Sequence, residues 1–276
     1  MGINDYPGVV NDLDGPVSDA LIMRELLVEE YDFEPENVVV LLDEEGNREH
    51  ILNAFLRHLG QAGPDGLAVF YYSGHGLQLE GNYGLTAPLD PEADGMDEAL
   101  AVWGEGFDSV ILDDELGFTS DRLEAGRTLI LIDACFSGTG TRAPGGQPKR
   151  VEQSDLESLR LPGRYLADAS ASASGAKSVE IGGEPTRHIL LAASADDEVA
   201  YTAFGWPELG GTASVFTYYL ALALRDASDD VTFDELGARI RDQALEYTIE
   251  KYGEAQTVQV EGLRSTESVR AFLEGH

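Results

Sequence analysis

Leu67-Ala68-Val69-Phe70-Tyr71-Tyr72-Ser73-Gly74-His75-Gly76 and, about sixty residues on, Thr128-Leu129-Ile130-Leu131-Ile132-Asp133-Ala134-Cys135-Phe136-Ser137-Gly138 decide the fold. Each is a short apolar run stopped by glycine, the pattern of a strand buried on both faces in a parallel sheet covered by helices. In open α/β sheets ligands bind beyond the carboxyl ends of the strands. His75 and Cys135, the single cysteine of the chain, both fall at such ends. A thiol becomes a strong nucleophile when an imidazole takes its proton, and the two need not be close in sequence. A lone cysteine is also common core filler. Core filler does not require Gly74, Gly76 and Gly138 around it, whereas sharp turns and close approach to a ligand do.

Outward from these runs, strand and helix alternate. Leu21, Ile22, Leu26 and Leu27 recur at helical spacing within 18–31, with Ser18 as the expected N-cap. Strands are expected at 37–42, 67–72, 128–133, 188–193 and 256–260, and further helices at 48–59, 113–124, 213–225 and 232–250. Alternation of this kind argues for an α/β fold with a mostly parallel sheet. The stretch 77–112 has no clear period and is long enough to be a functional loop. Residues 143–187 are rich in Gly, Pro, Ser and Ala and read as a flexible linker. They divide the chain into a large part, 1–142, and a small part, 188–276, of one domain.

The motifs around His75 and Cys135 resemble the catalytic pair of metacaspases and their prokaryotic, orthocaspase-type relatives in the caspase-like clan of cysteine peptidases. Flanking segments are similar as well: Gly2-Ile3-Asn4-Asp5-Tyr6 to the end of that family's first strand, Pro16-Val17-Ser18-Asp19 to the start of its first helix, and Gln256-Thr257-Val258-Gln259-Val260-Glu261-Gly262 to its last strand. Met1-Gly2-Ile3 leaves almost nothing of the first strand itself. The resemblance implies a caspase-like fold, a mostly parallel sheet sandwiched between helices. It implies a cysteine endopeptidase that cleaves after Arg or Lys through a Cys135–His75 dyad, on protein or peptide substrates, with no cofactor required for the chemistry. Backbone N–H groups of Gly76 and Cys135 would hold the oxyanion, in keeping with the usual logic of acyl transfer.

Side chains two apart on a strand share a face, which groups Asp133 with Cys135 and Ser73 with His75. A carboxylate beside the thiol raises its pKa, a cost that is tolerable if the carboxylate binds a basic substrate side chain. Asp133 reads equally as a cap on the following turn. The resemblance assigns Asp19, Ser73 and Asp133 to binding the basic residue. It also implies a calcium site at Asp97, Asp113 and Asp114, with calcium as an activator. Arg142 stands where that pattern has a further acidic ligand, and Asp113-Asp114 reads also as a helix N-cap placed favourably in the helix dipole. Pro148-Lys149-Arg150-Val151 is a dibasic site in the linker, where exposure would favour self-cleavage after Lys149 or Arg150. If these are ordinary surface charges, the chain stays whole.

Two other classes fit the residues less well. A catalytically silent caspase-like scaffold would not need both His75 and Cys135. A nucleotide-binding α/β protein would need a phosphate loop of the G-x-x-x-x-G-K-[ST] type, which is absent.

The chain has 276 residues, 51 of them acidic and 18 basic, for a net charge of −33. Such a charge opposes electrostatic binding to nucleic acid or anionic membrane. Hydrophobic residues make up 43%, so the acid is laid over a globular pattern rather than a disordered tail. Only Lys149, Lys177 and Lys251 are lysine, and the composition resembles proteins of salt-accumulating halophiles. One cysteine excludes an internal disulfide, and without a signal peptide or an 18-residue apolar span the expected location is cytoplasmic. At about 1 M salt the Debye length falls to roughly 3 Å and self-repulsion is screened. The melting temperature is therefore expected to rise as KCl goes from dilute to molar, which scanning calorimetry checks; a flat or falling trend contradicts the halophile reading.

Overall fold

The computed structural model describes residues 1–8, 12–80, 96–136, 146–151, 188–195, 198–206 and 211–275. Its central sheet has the order β1 (Leu67–Ser73), β5 (Arg127–Asp133), β7 (His188–Ala192), β10 (Gln259–Glu261). The first three run parallel and β10 closes the edge antiparallel. Along the parallel strands burial is nearly continuous, as the apolar runs demanded.

The period of two sends alternate side chains to opposite faces. Tyr71, Leu129, Leu131, Ile189 and Leu191 join a core with α1 (Pro16–Glu30), α4 (Val215–Arg225), α5 (Phe233–Tyr252) and α6 (Val269–Glu274). Phe70, Tyr72, Ile130, Ile132 and Leu190 face the other way, against α2 (Arg48–Arg57) and α3 (Asp113–Ser120). The α5 helix starts in a capping box between Thr232 and Glu235 and ends at Gly253, whose φ of 74° suits glycine. No helix among the described residues is long and apolar enough to cross a membrane.

Several expectations need correction. Helix α1 begins at Pro16, whose fixed φ suits the first helical position, and Ser18 lies inside the helix rather than capping it. Residues 38–41 are not laddered into a strand. A strand there needs a partner, and Gly2 alone bridges both Leu42 and Ser73, leaving a cavity of about 770 Å³ bordered by Val38–Leu41 and β1. The stretch 77–112 holds an antiparallel sheet of β2 (Gly76–Glu80), β3 (Met96–Ala101) and β4 (Val110–Leu112). A second small sheet joins β6 (Gly146–Pro148), β8 (Tyr201–Trp206) and β9 (Gly211–Ser214). Within the expected linker, residues 146–151 are thus an ordered part of the fold; 143–145 and 152–187 lie outside the described residues.

Leu191 is fully buried between β5 and β10, whereas Leu263 is 71% exposed. Leu191→Ala is expected to lower stability by about 2–5 kcal/mol, and Leu263→Ala to stay within about 0.5 kcal/mol, as urea denaturation would read.

Candidate active site

The register pairs Ser73 with Asp133, so β1 and β5 end side by side, about 4.8 Å apart. The two chemistry-bearing turns, Gly74-His75-Gly76 and Ala134-Cys135-Phe136, leave the sheet together. Their backbones are in contact: a Cβ on Gly76 would lie 2.4 Å from the Cys135 carbonyl oxygen, so only glycine fits. Gly74 N–H donates to the Asp133 carbonyl at 3.2 Å, tying the His turn to the Cys strand.

His75 is buried and held through its backbone. Its N–H donates to Tyr6 Oη at 2.8 Å, and its carbonyl accepts from Ala101 N–H at 2.9 Å and from Tyr72 Oη at 2.6 Å. The Tyr6 ring lies against the imidazole, centroids 4.9 Å apart. Cys135 is also buried, and its thiol donates to the Glu198 carbonyl at 3.0 Å. The Glu198 carboxylate in turn accepts from Thr257, through the hydroxyl at 2.7 Å and the backbone N–H. That clamp fixes the segment on which the thiol rests.

Asp19, Ser73 and Asp133 come together in one pocket with no solvent exposure, although α1, β1 and β5 supply them separately. Asp19 Oδ2 accepts from Ser73 Oγ at 2.7 Å and from the Ser214 hydroxyl, while Oδ1 accepts from Ser214 N–H at 2.8 Å. Asp133 Oδ2 accepts from Thr217 Oγ1 at 2.5 Å. Burial pushes the Asp19 carboxyl above its ordinary range; Lys149 pulls it back down and Asp133 pushes it further up.

A cation fills this pocket. Lys149 Nζ lies 2.8 Å from Asp133 Oδ1, 2.7 Å from Ser73 Oγ, 2.6 Å from Ser214 Oγ and 3.5 Å from Asp19 Oδ2. The same residue's carbonyl oxygen accepts from Gly76 N–H at 3.0 Å and from Cys135 N–H at 3.2 Å. Its own N–H donates to the Ala200 carbonyl at 2.9 Å, continuing the antiparallel pairing of β6 with β8; past it, Val151 N–H donates to the Gly76 carbonyl at 3.0 Å. The chain therefore crosses the ends of β1 and β5 in extended form. The expectation of an exposed dibasic loop is overturned: Lys149 is 0% and Arg150 7% exposed, because the acidic pocket and the two N–H donors draw the segment in.

Sequence reasoning missed Ser214, which it placed merely within the first turn of a helix expected at 213–225, and Thr217, on the buried side of that helix. It also missed what Lys149 does, although a lysine in a chain with three of them is a usable signal. Asp97 and Asp113 are buried near the paired ends of β3 and β4, with Asp114 beside them in the first turn of α3. Among the described residues no three His, Cys, Asp or Glu side chains are grouped to hold a metal ion, and Arg142 lies outside them. The expected calcium site thus has no complete ligand set there. His50 is exposed and serves α2, where it meets the Asn47 cap; His58 bonds the Asn37 carbonyl, and His188 is a buried strand residue.

Comparison with known proteins gives a single answer. Metacaspase-1 of Schizosaccharomyces pombe is 33% identical over 153 residues, covering 52% of this chain and 34% of that protein. Metacaspase-1 of Arabidopsis thaliana is 28% identical over 235 residues, covering 82% and 58% respectively. The chain thus spans between a third and three fifths of the length of these relatives. Protein GSU0716 from Geobacter sulfurreducens shares the fold with a TM-score of 0.63 at 20% identity, over 98% of this chain and 96% of that one. Caspase-1 from Spodoptera frugiperda does so with a TM-score of 0.54 at 13% identity, over 95% and 84%. The family described as the caspase domain matches residues 1–268, so the chain, with its parallel-dominated sheet between helices, belongs to the caspase domain family.

Proposed function

We propose that this protein is a cysteine endopeptidase that cleaves after Lys or Arg, with Cys135 as nucleophile and His75 as general base, and that its first substrate is its own Lys149–Arg150 bond. The observation that carries the reading is the placement of Lys149. Its ammonium sits among two carboxylates and two hydroxyls while its carbonyl oxygen faces two backbone N–H donors. A peptide bound for cleavage needs both: an anchor for its side chain and donors where negative charge develops.

The steps balance as an acyl transfer. The thiol leaves the Glu198 carbonyl and gives its proton to His75; the thiolate attacks the Lys149 carbonyl carbon. The oxyanion that forms takes the N–H groups of Gly76 and Cys135, which already point at that oxygen. Protonated His75 then gives its proton to the Arg150 nitrogen, the C–N bond breaks, and water hydrolyses the thioester to a carboxylate at Lys149. Ser73 and Ser214 position the pocket, each bonded both to the ammonium and to Asp19. An acidic residue before the scissile bond would bring a third carboxylate into this buried pair and is strongly disfavoured.

Incubation of purified protein in molar KCl is expected to yield Met1–Lys149 and Arg150–His276, read by intact mass, with neither fragment from Cys135→Ala. A whole chain that nevertheless hydrolyses Lys peptides would remove the self-cleavage step. Peptides ending in Lys or Arg should be turned over and one ending in Asp should not; the reverse order would overturn the specificity.

Asp133→Ala leaves the substrate's cation without its shortest ion pair and should cost about 2–5 kcal/mol in kcat/KM for Lys peptides. Alkylation of Cys135 by iodoacetamide should change much less. Equal losses in both would mean that the substitution damages the nucleophile rather than the pocket.

A further inference from the structure

Lys149 is not the only side chain of the crossing segment with a built partner. Gln147 lies opposite Thr202 in the β6–β8 ladder and makes a reciprocal pair with Asp14. Its Nε2 donates to Asp14 Oδ2 at 2.9 Å, and Asp14 N–H donates to its Oε1 at 2.9 Å. One contact accepts and the other donates, so together they read both ends of a carboxamide. A carboxylate in its place would set an acceptor against an acceptor. The loop that carries Asp14 is seated tightly: a Cβ on Gly15 would lie 2.5 Å from the Thr202 methyl group.

One residue earlier, Gly146 faces a wall. A Cβ there would lie 2.6 Å from Cζ of Tyr252, and that ring is hemmed in by Tyr201 and Tyr247 at centroid distances of 4.5 and 6.0 Å. Contacts under 3.0 Å are not made by real side chains, so the ring or the strand must move to admit even alanine.

We infer that Asp14 and Tyr252 are specificity-determining residues, and that the substrates this site takes read Gly-Gln-Pro-Lys up to the scissile bond: a carboxamide third from the cut and glycine fourth. The inference rests on the endopeptidase reading above and extends it from one subsite to four. Pro148 fills the remaining position opposite Tyr201.

The test uses the full chain and its full-length Lys149→Ala variant, whose own segment no longer anchors in the acidic pocket. Both are assayed in molar KCl, which screens the general repulsion of acidic peptides. The substrates are fluorogenic acyl tetrapeptide amides: Gly-Gln-Pro-Lys, Gly-Glu-Pro-Lys, Ala-Gln-Pro-Lys and Ala-Ala-Ala-Lys. The Gln147–Asp14 pair is solvent-exposed, so replacing Gln by Glu is expected to lower kcat/KM about threefold, the size of one ordinary hydrogen bond. Asp14→Asn, which can bond either side chain, should bring that ratio close to one. Replacing the fourth-position Gly by Ala should lower kcat/KM about tenfold, by the usual cost of overpacking, with Tyr252→Ala relieving the loss. If Ala-Ala-Ala-Lys is cleaved as well as Gly-Gln-Pro-Lys, the subsite inference is overturned while the endopeptidase reading stands. If neither protein cleaves any Lys peptide although Cys135 still alkylates, the endopeptidase reading fails and takes this one with it.

Discussion

The ammonium of Lys149 between Asp133 and Asp19 is the contact on which the site depends. Both carboxylates are fully buried, and a buried carboxylate without a cation is costly; removing one partner of such a pair typically costs about 3–5 kcal/mol. Two carboxylates share one cation here; Asp19, the more distant at 3.5 Å, titrates above its ordinary range chiefly because it is buried, with Lys149 opposing the rise and Asp133 adding to it. Its native state then holds a proton more readily than the unfolded chain does. Taken alone, that carboxyl makes stability fall as pH rises through its raised pKa. The Lys149 ammonium opposes this by favouring the charged form. A pocket so arranged is stable when it holds either a proton or a cation, and that is the physical root of the proposed choice of Lys and Arg.

The rest follows from strand register. Because Ser73 pairs with Asp133, the residues one and two positions further on emerge together above the sheet edge, and Gly76 can touch the Cys135 carbonyl. A slip of one residue would turn Asp133 out of the pocket and carry the Cys135 N–H away from the Lys149 carbonyl. The same ladder that packs Tyr71 and Leu131 into one core and Tyr72 and Ile132 into the other therefore aligns donors and carboxylates. Packing and chemistry are fixed by one constraint.

Legibility in the sequence tracked how local the signal was. β1, β5 and β7 were readable because a strand buried on both faces is apolar throughout, and α5 because helical spacing is a local signal. The antiparallel sheet of β2, β3 and β4 was not: Met96-Asp97-Glu98-Ala99-Leu100-Ala101 buries acidic residues, so its polarity reads as a loop. Asp19 and Asp133 could be paired only through a family resemblance, since they lie 114 positions apart and no spacing rule joins a helix to a distant strand. Lys149 was legible as a basic residue in a Gly- and Pro-rich stretch. Its burial was not, because the force that draws it in is exerted by carboxylates elsewhere in the chain.

Two kinds of electrostatics coexist in this protein, and salt weakens only one of them. The net charge of −33 is dispersed along the chain and acts over distances comparable with the Debye length, so salt weakens it. The pocket works at 2.6–3.5 Å with no solvent exposure, and no mobile ion can enter between Lys149 and its partners. Molar salt thus relieves the repulsion that opposes folding without loosening the contact that selects a cation. The same separation explains how a chain with so few lysines can place one so firmly. A surface lysine in concentrated salt gains little from the acidic field around it, whereas one lysine in a dry pocket keeps nearly all of its attraction.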